Sequence, residues 1–128
     1  MAGLKMRPYR RIVAYQTWRA LSEPPQDFPL ALTDSRSVEP GQYVVMENIT
    51  GPREQLGAVG DSRMALPGNH TWYYFSGLTS REVIVFKGYD TANPEGLNVY
   101  HASFDNRRAE PNAHPRASIE TRMLAFWK

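Results

Sequence analysis

The feature that most narrows what this chain can fold into is its punctuation. Ten prolines and nine glycines fall largely in clusters: SEPPQDFP (22–29), EPGQ (39–42), ITGPRE (49–54), ALPGN (65–69) and TANPEG (91–96). Proline fixes φ and removes a backbone donor, and glycine frees the backbone, so such clusters read as turns and loops. NRRAEPNAHPR (106–116) reads as a longer loop. Between these breaks lie short runs rich in β-branched and aromatic residues, the composition that suits a pleated, half-buried surface.

Strands are expected at 10–18 (RRIVAYQTW), 28–33, 42–48, 71–76 (TWYYFS), 83–88 (VIVFKG), 97–104 (LNVYHASF) and 117–127. The last alternates. Ile119, Thr121, Met123, Ala125 and Trp127 share one face, and Glu120, Arg122, Leu124 and Phe126 the other, so both faces carry apolar groups. Helix is scarce. One turn is expected at LTSREV, where Thr79 and Glu82 have capping-box spacing. Many short strands with almost no helix point to an all-β sandwich or barrel.

A chain of 128 residues, 41% hydrophobic and 22% charged, is long enough for one domain with a real core. It has no cysteine, which excludes disulfides and thiolate metal sites. The formal net charge is only +2, with arginines scattered among acids, so no nucleic-acid partner is expected. No apolar run has the length of a membrane span, and MAGLKMRPYRR lacks the apolar core of a secretory signal. A cytoplasmic protein is expected.

The three histidines, His70, His101 and His114, are each followed two positions later by a non-acid (Trp72, Ser103, Arg116). No His-x-Asp or His-x-Glu pair is present to supply two of three ligands in a two-His-one-carboxylate iron site. A site could be assembled only from His70, His101 and a distant acid such as Asp34 or Asp90, so no metal is assigned. His101, at a strand end, is either a hydrogen-bonded rim residue or a proton carrier. His70 is a cap or a pocket wall, and His114 lies in an exposed loop.

Arg116-x-Ser118 places a guanidinium and a hydroxyl on one side of an extended chain, a pair suited to a carboxylate. The alternative is a surface arginine paired with Glu120 or Asp105. Trp72 and Tyr74 share one face of their strand, Tyr73 and Phe75 the other. One pair belongs to the core, and the other lines a cavity with a tyrosine hydroxyl as polar handle. Lys87 is either a pocket cation paired with Asp90 or a snorkelling surface lysine. No Gly-x-Ser-x-Gly, P-loop or dinucleotide fingerprint occurs.

The ordered series TWRALSEPPQDFPLALTDSRSV, HTWYYFSGLTSREVIVFKGYD, HASFD and PRASIETRMLAFW resembles the C-terminal half of one secondary-metabolism family. These are the enzymes similar to cephamycin hydroxylase and to AsaB-type hydroxylase/desaturases, distantly related to gibberellin desaturase. The resemblance covers 10–128, leaving 1–9 as a flexible start. It implies a single cupin-like jelly-roll (double-stranded β-helix) domain of the iron(II)/2-oxoglutarate oxygenase type. It also implies that His101 matches the distal iron histidine, and Arg116 with Ser118 the grip on the far carboxylate of 2-oxoglutarate. The family's His-x-Asp pair is missing from this chain.

The favoured expectation is therefore an oxygenase-derived barrel without cofactor, performing acid–base chemistry of isomerase, cyclase or lyase type on a small natural-product intermediate. His101, Lys87, Tyr74 and His70 would carry the chemistry; Arg116, Ser118, Arg122, Trp72 and Asp90 would bind substrate. The first alternative is an iron(II)/2-oxoglutarate hydroxylase or desaturase with an altered or partner-completed metal site. The second is a non-catalytic binding or accessory protein. Half of a two-sheet barrel exposes edges, so the chain is expected either to close a compact barrel alone or to form a homodimer.

Overall fold

The computed structural model describes residues 9–39, 41, 43–47, 61–94, 99–111 and 115–128. The described elements are almost entirely extended. In chain order they are β1 (Arg11–Ala20), β2 (Leu30–Thr33), a 3-10 turn (Ser35–Ser37), β3 (Tyr43–Glu47), β4 (Asp61–Ala65), β5 (Trp72–Tyr74), β6 (Ile84–Asp90), β7 (His101–Ser103) and β8 (Ser118–Trp127). They pair antiparallel into a sheet ordered β6-β1-β8, a second ordered β5-β2-β7, and a β3-β4 ribbon. No helix among the described residues is long and apolar enough to cross a membrane.

The expected strands are present, several of them shorter than expected. The run 71–76 keeps only Trp72–Tyr74, and 97–104 keeps His101–Ser103, with positions 97 and 98 outside the described residues. Strand β4, DSRMA, was not expected, since it contains no β-branched or aromatic residue; it is defined by its partner, through pairs from Tyr43–Ala65 to Glu47–Asp61. The Thr79–Glu82 motif forms a hydrogen-bonded turn and not a helix. Glu82 accepts from the Thr79 backbone N–H and hydroxyl, both at 2.9 Å, which holds its carboxyl below the usual range. Of the flexible start expected at 1–9, only Tyr9 is described; its ring lies 4.8 Å from that of Phe126.

Strand β1 is the centre of the larger sheet and is covered on both faces. Trp18 and Ala20 are buried on one face and Val13 on the other. Trp18 and Ala20 join Ile84 and Phe86 of β6, Leu78, and Leu30 of β2 in the core, with Leu32 and Val99 packed against it. This cluster is what holds the two larger sheets face to face.

One irregularity sets the chemistry of the far face. Ala14 pairs with Tyr89 but Tyr15 with Lys87, which leaves Gly88 as an extra residue. A side chain there would begin 2.7 Å from Gln16 Nε2, so glycine leaves room for the glutamine. The bulge also reverses the alternation of β6. Lys87 and Asp90, three apart, therefore reach the same face, where Lys87 donates to Asp90 at 3.2 Å. Asp90 is 2% exposed and accepts a bidentate pair from Arg11, at 2.9 and 2.6 Å, plus the Ala92 N–H at 3.0 Å. The Arg11 hydrogen bonds, above all, hold its carboxyl far below the usual range.

Two consequences are measurable. Phe86→Ala, which empties core volume, should cost about 3–5 kcal/mol in a denaturant titration. Asp90 is depressed when folded, so its contribution is present at neutral pH and lost as acid protonates it below the ordinary aspartate range of about 4. Asp90→Asn should therefore destabilise at pH 7, and the gap from the parent should close as pH falls.

Candidate functional site

The site is built on the face that β1 and β8 turn towards the second sheet. Register pairs Ala20 with Ser118, Trp18 with Glu120 and Gln16 with Arg122, so these β8 side chains share the face of the core tryptophan. Arg116 stands two residues ahead of Ser118 on the same extended chain. Its Nη1 donates to Ser118 Oγ at 2.6 Å, and its guanidinium carbon lies 5.3 Å from the centroid of the Trp18 ring. Its Nε is buried without a partner among the described residues.

The backbone at this point is tied down. Arg116 N–H donates to Asp27 Oδ1 at 2.8 Å, and Asn106 N–H to the Asp27 carbonyl at 2.8 Å. Buried Asn106 and Gln26 extend the tie, donating to the Gln26 carbonyl at 2.8 Å and the Leu78 carbonyl at 2.9 Å. The PPQD loop thus fixes where the guanidinium begins. A guanidinium held this way, with a free buried N–H and an adjacent hydroxyl, offers a planar donor set for a carboxylate.

His101 reaches the same space from β7. It pairs with Leu32 of β2, and its ring lies 4.9 Å from that of Phe86. Burial pushes the imidazole below its ordinary value; Glu120 pulls it up and Arg122 presses it down. The balance favours the neutral imidazole, against a backbone hydrogen bond at Val99 that favours the charged form. Glu120 and Arg122 pair with each other at 3.2 Å.

The structure brings His101, Arg116, Ser118 and Arg122 to one face and separates the other expected residues from it. Leu32 pairs with Tyr73 on its other side, so Tyr73 shares the face of His101. Tyr74 and Trp72 turn the opposite way, opposite Ala31 and Thr33, and the Tyr74 ring meets Phe104 edge-on at 4.9 Å. Alternation separates the two pairs, but the β2 register decides which one points inward. Lys87 and Asp90 lie on the outer face of the larger sheet, bound to each other and to Arg11. Both ring nitrogens of His70 lie against backbone carbonyls, Leu66 at 2.8 Å and Ser37 at 3.3 Å, tying two loops together. His114 lies outside the described residues.

Gln16 was missed. It sits on the inner face between Phe86 and Arg122, and its Oε1 is buried without a partner. Its two-residue offset from Trp18 was the available signal. For a metal the donor set is thin. Among the described residues no three His, Asp or Glu side chains stand together. Asp34, one acid considered for a site, is held by Arg36 at 2.6 and 2.9 Å, which brings its carboxyl down to about 2. Asp90 is held by Arg11. Iron does not fit the described residues by themselves, because His101 is a single donor.

A family model described as "Oxidoreductase/YMDC permease-like domain" matches residues 4–126, and the chain belongs to that family. It is 30% identical over 116 residues to the Fe(II)/2-oxoglutarate-dependent dioxygenase nvfI of Aspergillus novofumigatus, covering 91% of this chain and 41% of the relative. It is 33% identical over 108 residues to the hydroxylase/desaturase efuI of Hormonema carpetanum, covering 78% and 36%. A solved structure of the iron and alpha-ketoglutarate-dependent endoperoxidase NvfI superposes with a TM-score of 0.77 at 30% identity, over 91% of this chain and 41% of that one.

The all-β, cupin-like jelly-roll expectation stands, and so does similarity to the oxygenases. The chain spans about two-fifths of the length of these proteins. The expectation of a site without cofactor is overturned, because the relative nvfI is named as dependent on iron and 2-oxoglutarate. With it falls the preference for isomerase, cyclase or lyase chemistry over oxidation.

The imidazole offers a direct check. In an NMR titration His101 should titrate below the ordinary 6.5. Glu120→Gln should lower the midpoint further, and Arg122→Gln should raise it. Because the folded value is depressed, stability from this group should fall as pH drops through about 6.5, and His101→Gln should remove that decline.

Proposed function

We propose that this chain forms the co-substrate-gripping part of an iron(II)/2-oxoglutarate-type oxygenase, a hydroxylase or desaturase acting on a small natural-product intermediate. The observation that carries this reading is the Arg116–Ser118 pair, 2.6 Å apart, with a buried, unpartnered Arg116 Nε and Trp18 beneath the guanidinium. A dicarboxylate such as 2-oxoglutarate would satisfy the free guanidinium edge, with Ser118 as a further donor. Iron(II) and 2-oxoglutarate, when bound, supply the oxidising chemistry of this class. The chain's own part is to hold one carboxylate, keep the imidazole of His101 neutral, and offer Tyr73 and Phe86 as aromatic surface on the same side.

Kinship to the hydroxylase/desaturases within the wider oxygenase group supports a substrate with C–H bonds to be oxidised. Lys87, Asp90 and His70 take structural parts in this reading, consistent with their ion pairs and carbonyl contacts.

Binding tests it without turnover. Trp18 lies beside the guanidinium, so 2-oxoglutarate should change tryptophan emission saturably. Arg116→Gln should weaken binding by about 10- to 100-fold, the loss of a charge-assisted hydrogen-bond pair worth about 1.5–3 kcal/mol. Ser118→Ala should weaken it several-fold. Equal binding by the parent and Arg116→Gln would refute the proposal.

A further inference from the structure

Strand β8 has a free side. It pairs with β1 along all ten residues from Ser118 to Trp127, and among the described residues no strand takes its other edge. The pairing is regular, so one bond fixes which backbone groups face outward. Leu21 N–H donates to the Ala117 carbonyl at 2.8 Å, one step beyond the Ala20–Ser118 pair. Hydrogen-bonded pairs alternate from there, so Ile119, Thr121 and Met123 bond to β1. The backbone groups of Ser118, Glu120, Arg122 and Leu124 point to the free edge, a template for an antiparallel strand.

The side chains say which strand fits. Ile119, Glu120, Thr121, Arg122 and Met123 read apolar, acid, hydroxyl, base, apolar. Turned end for end about Thr121, this pattern is its own complement. All five residues are exposed, and Arg122 keeps 69% of its side chain in solvent despite its pairing with Glu120. The alternation of backbone groups admits only registers that set an even-numbered residue against an even-numbered residue. Centred on Thr121, such a register places Glu120 opposite Arg122 of the second copy, and Arg122 opposite its Glu120. On the other face Ile119 meets Met123, and the two Thr121 side chains meet each other. Opposite charges and paired threonines are favourable cross-strand neighbours, whereas like charges opposed are not. Moving the centre to Glu120 or Arg122 sets that charge against itself. Moving it one residue further leaves Glu120 opposite Ser118 or Phe126.

We infer that β8 pairs antiparallel with β8 of a second copy about a two-fold axis through Thr121, with Glu120 and Arg122 of each copy facing Arg122 and Glu120 of the other. The β6-β1-β8 sheets of the two copies join into one of six strands. Glu120 and Arg122 are also the charged neighbours of His101. Each copy therefore brings an arginine and a glutamate to the rim of the other's candidate site.

Sedimentation velocity on the full 128-residue chain tests this. The parent should dimerise. Glu120→Arg opposes arginine to arginine twice across the axis, and Arg122→Glu opposes glutamate to glutamate. Each variant alone should weaken dimerisation by about 10- to 100-fold. An equimolar mixture of the two should form a heterodimer as tight as the parent dimer, which damaged folding would not produce. The double variant, Glu120→Arg with Arg122→Glu, should dimerise with itself again. A monomeric parent, its edge then open to a strand of another protein, would overturn the inference. So would single variants that dimerise like the parent, or a mixture that stays monomeric. The oxygenase reading stands or falls separately, on 2-oxoglutarate binding at Arg116, which this pairing does not need.

Discussion

The structure depends on the antiparallel pairing of β1 with β8. Ten consecutive pairs from Arg11–Trp127 to Ala20–Ser118 fix the face on which each side chain emerges. A slip of one residue would send Ser118, Glu120 and Arg122 away from Trp18 and dismantle the proposed carboxylate site while leaving the strand itself intact. The register is held by burial on both sides of β1, with Val13 beneath the Arg11–Asp90 pair and Trp18 in the inter-sheet core. Apolar burial supplies the driving force, and the partly buried Arg11–Asp90 pair helps specify which residues meet.

This arrangement divides the polar groups into two sets. On the outer face, Arg11 and Lys87 both donate to Asp90. On the inner face, Arg116 and Gln16 keep buried atoms without partners. Native proteins seldom leave such groups unpaired, because each costs about 1–3 kcal/mol. Both lie on the inner face, where the proposed carboxylate site stands. The glycine bulge at Gly88 serves both sets: it clears space for Gln16 and brings Asp90 onto the outer face that Lys87 already occupies.

Much of this was legible in the sequence, and the failures have physical causes. Clustered proline and glycine marked the loops, and β-branched runs marked most strands. The spacing of Arg116 and Ser118 predicted their side-by-side placement, because a two-residue period is intrinsic to extended chain. Tyr73 and Tyr74 could not be told apart, since alternation names two faces without saying which is inward. Lys87 could be a pocket cation beside Asp90 or a surface lysine; alternation with the buried Ile84 and Phe86 turns it outward, and the bulge turns Asp90 to meet it. Strand β4 has no sequence signal because its partner dictates it. The expectation of no cofactor rests on the missing His-x-Asp pair alone, and it is overturned by relatives named as iron- and 2-oxoglutarate-dependent.

The central claim is that the inner face of β8 is built for a dicarboxylate. The most direct measurement is a crystal structure with N-oxalylglycine, a stable analogue of 2-oxoglutarate. Its distal carboxylate should lie against the Arg116 guanidinium and the Ser118 hydroxyl beside Trp18, with the other end directed towards His101. An analogue bound elsewhere, or Arg116 turned out to solvent with the inner face empty, would contradict that claim.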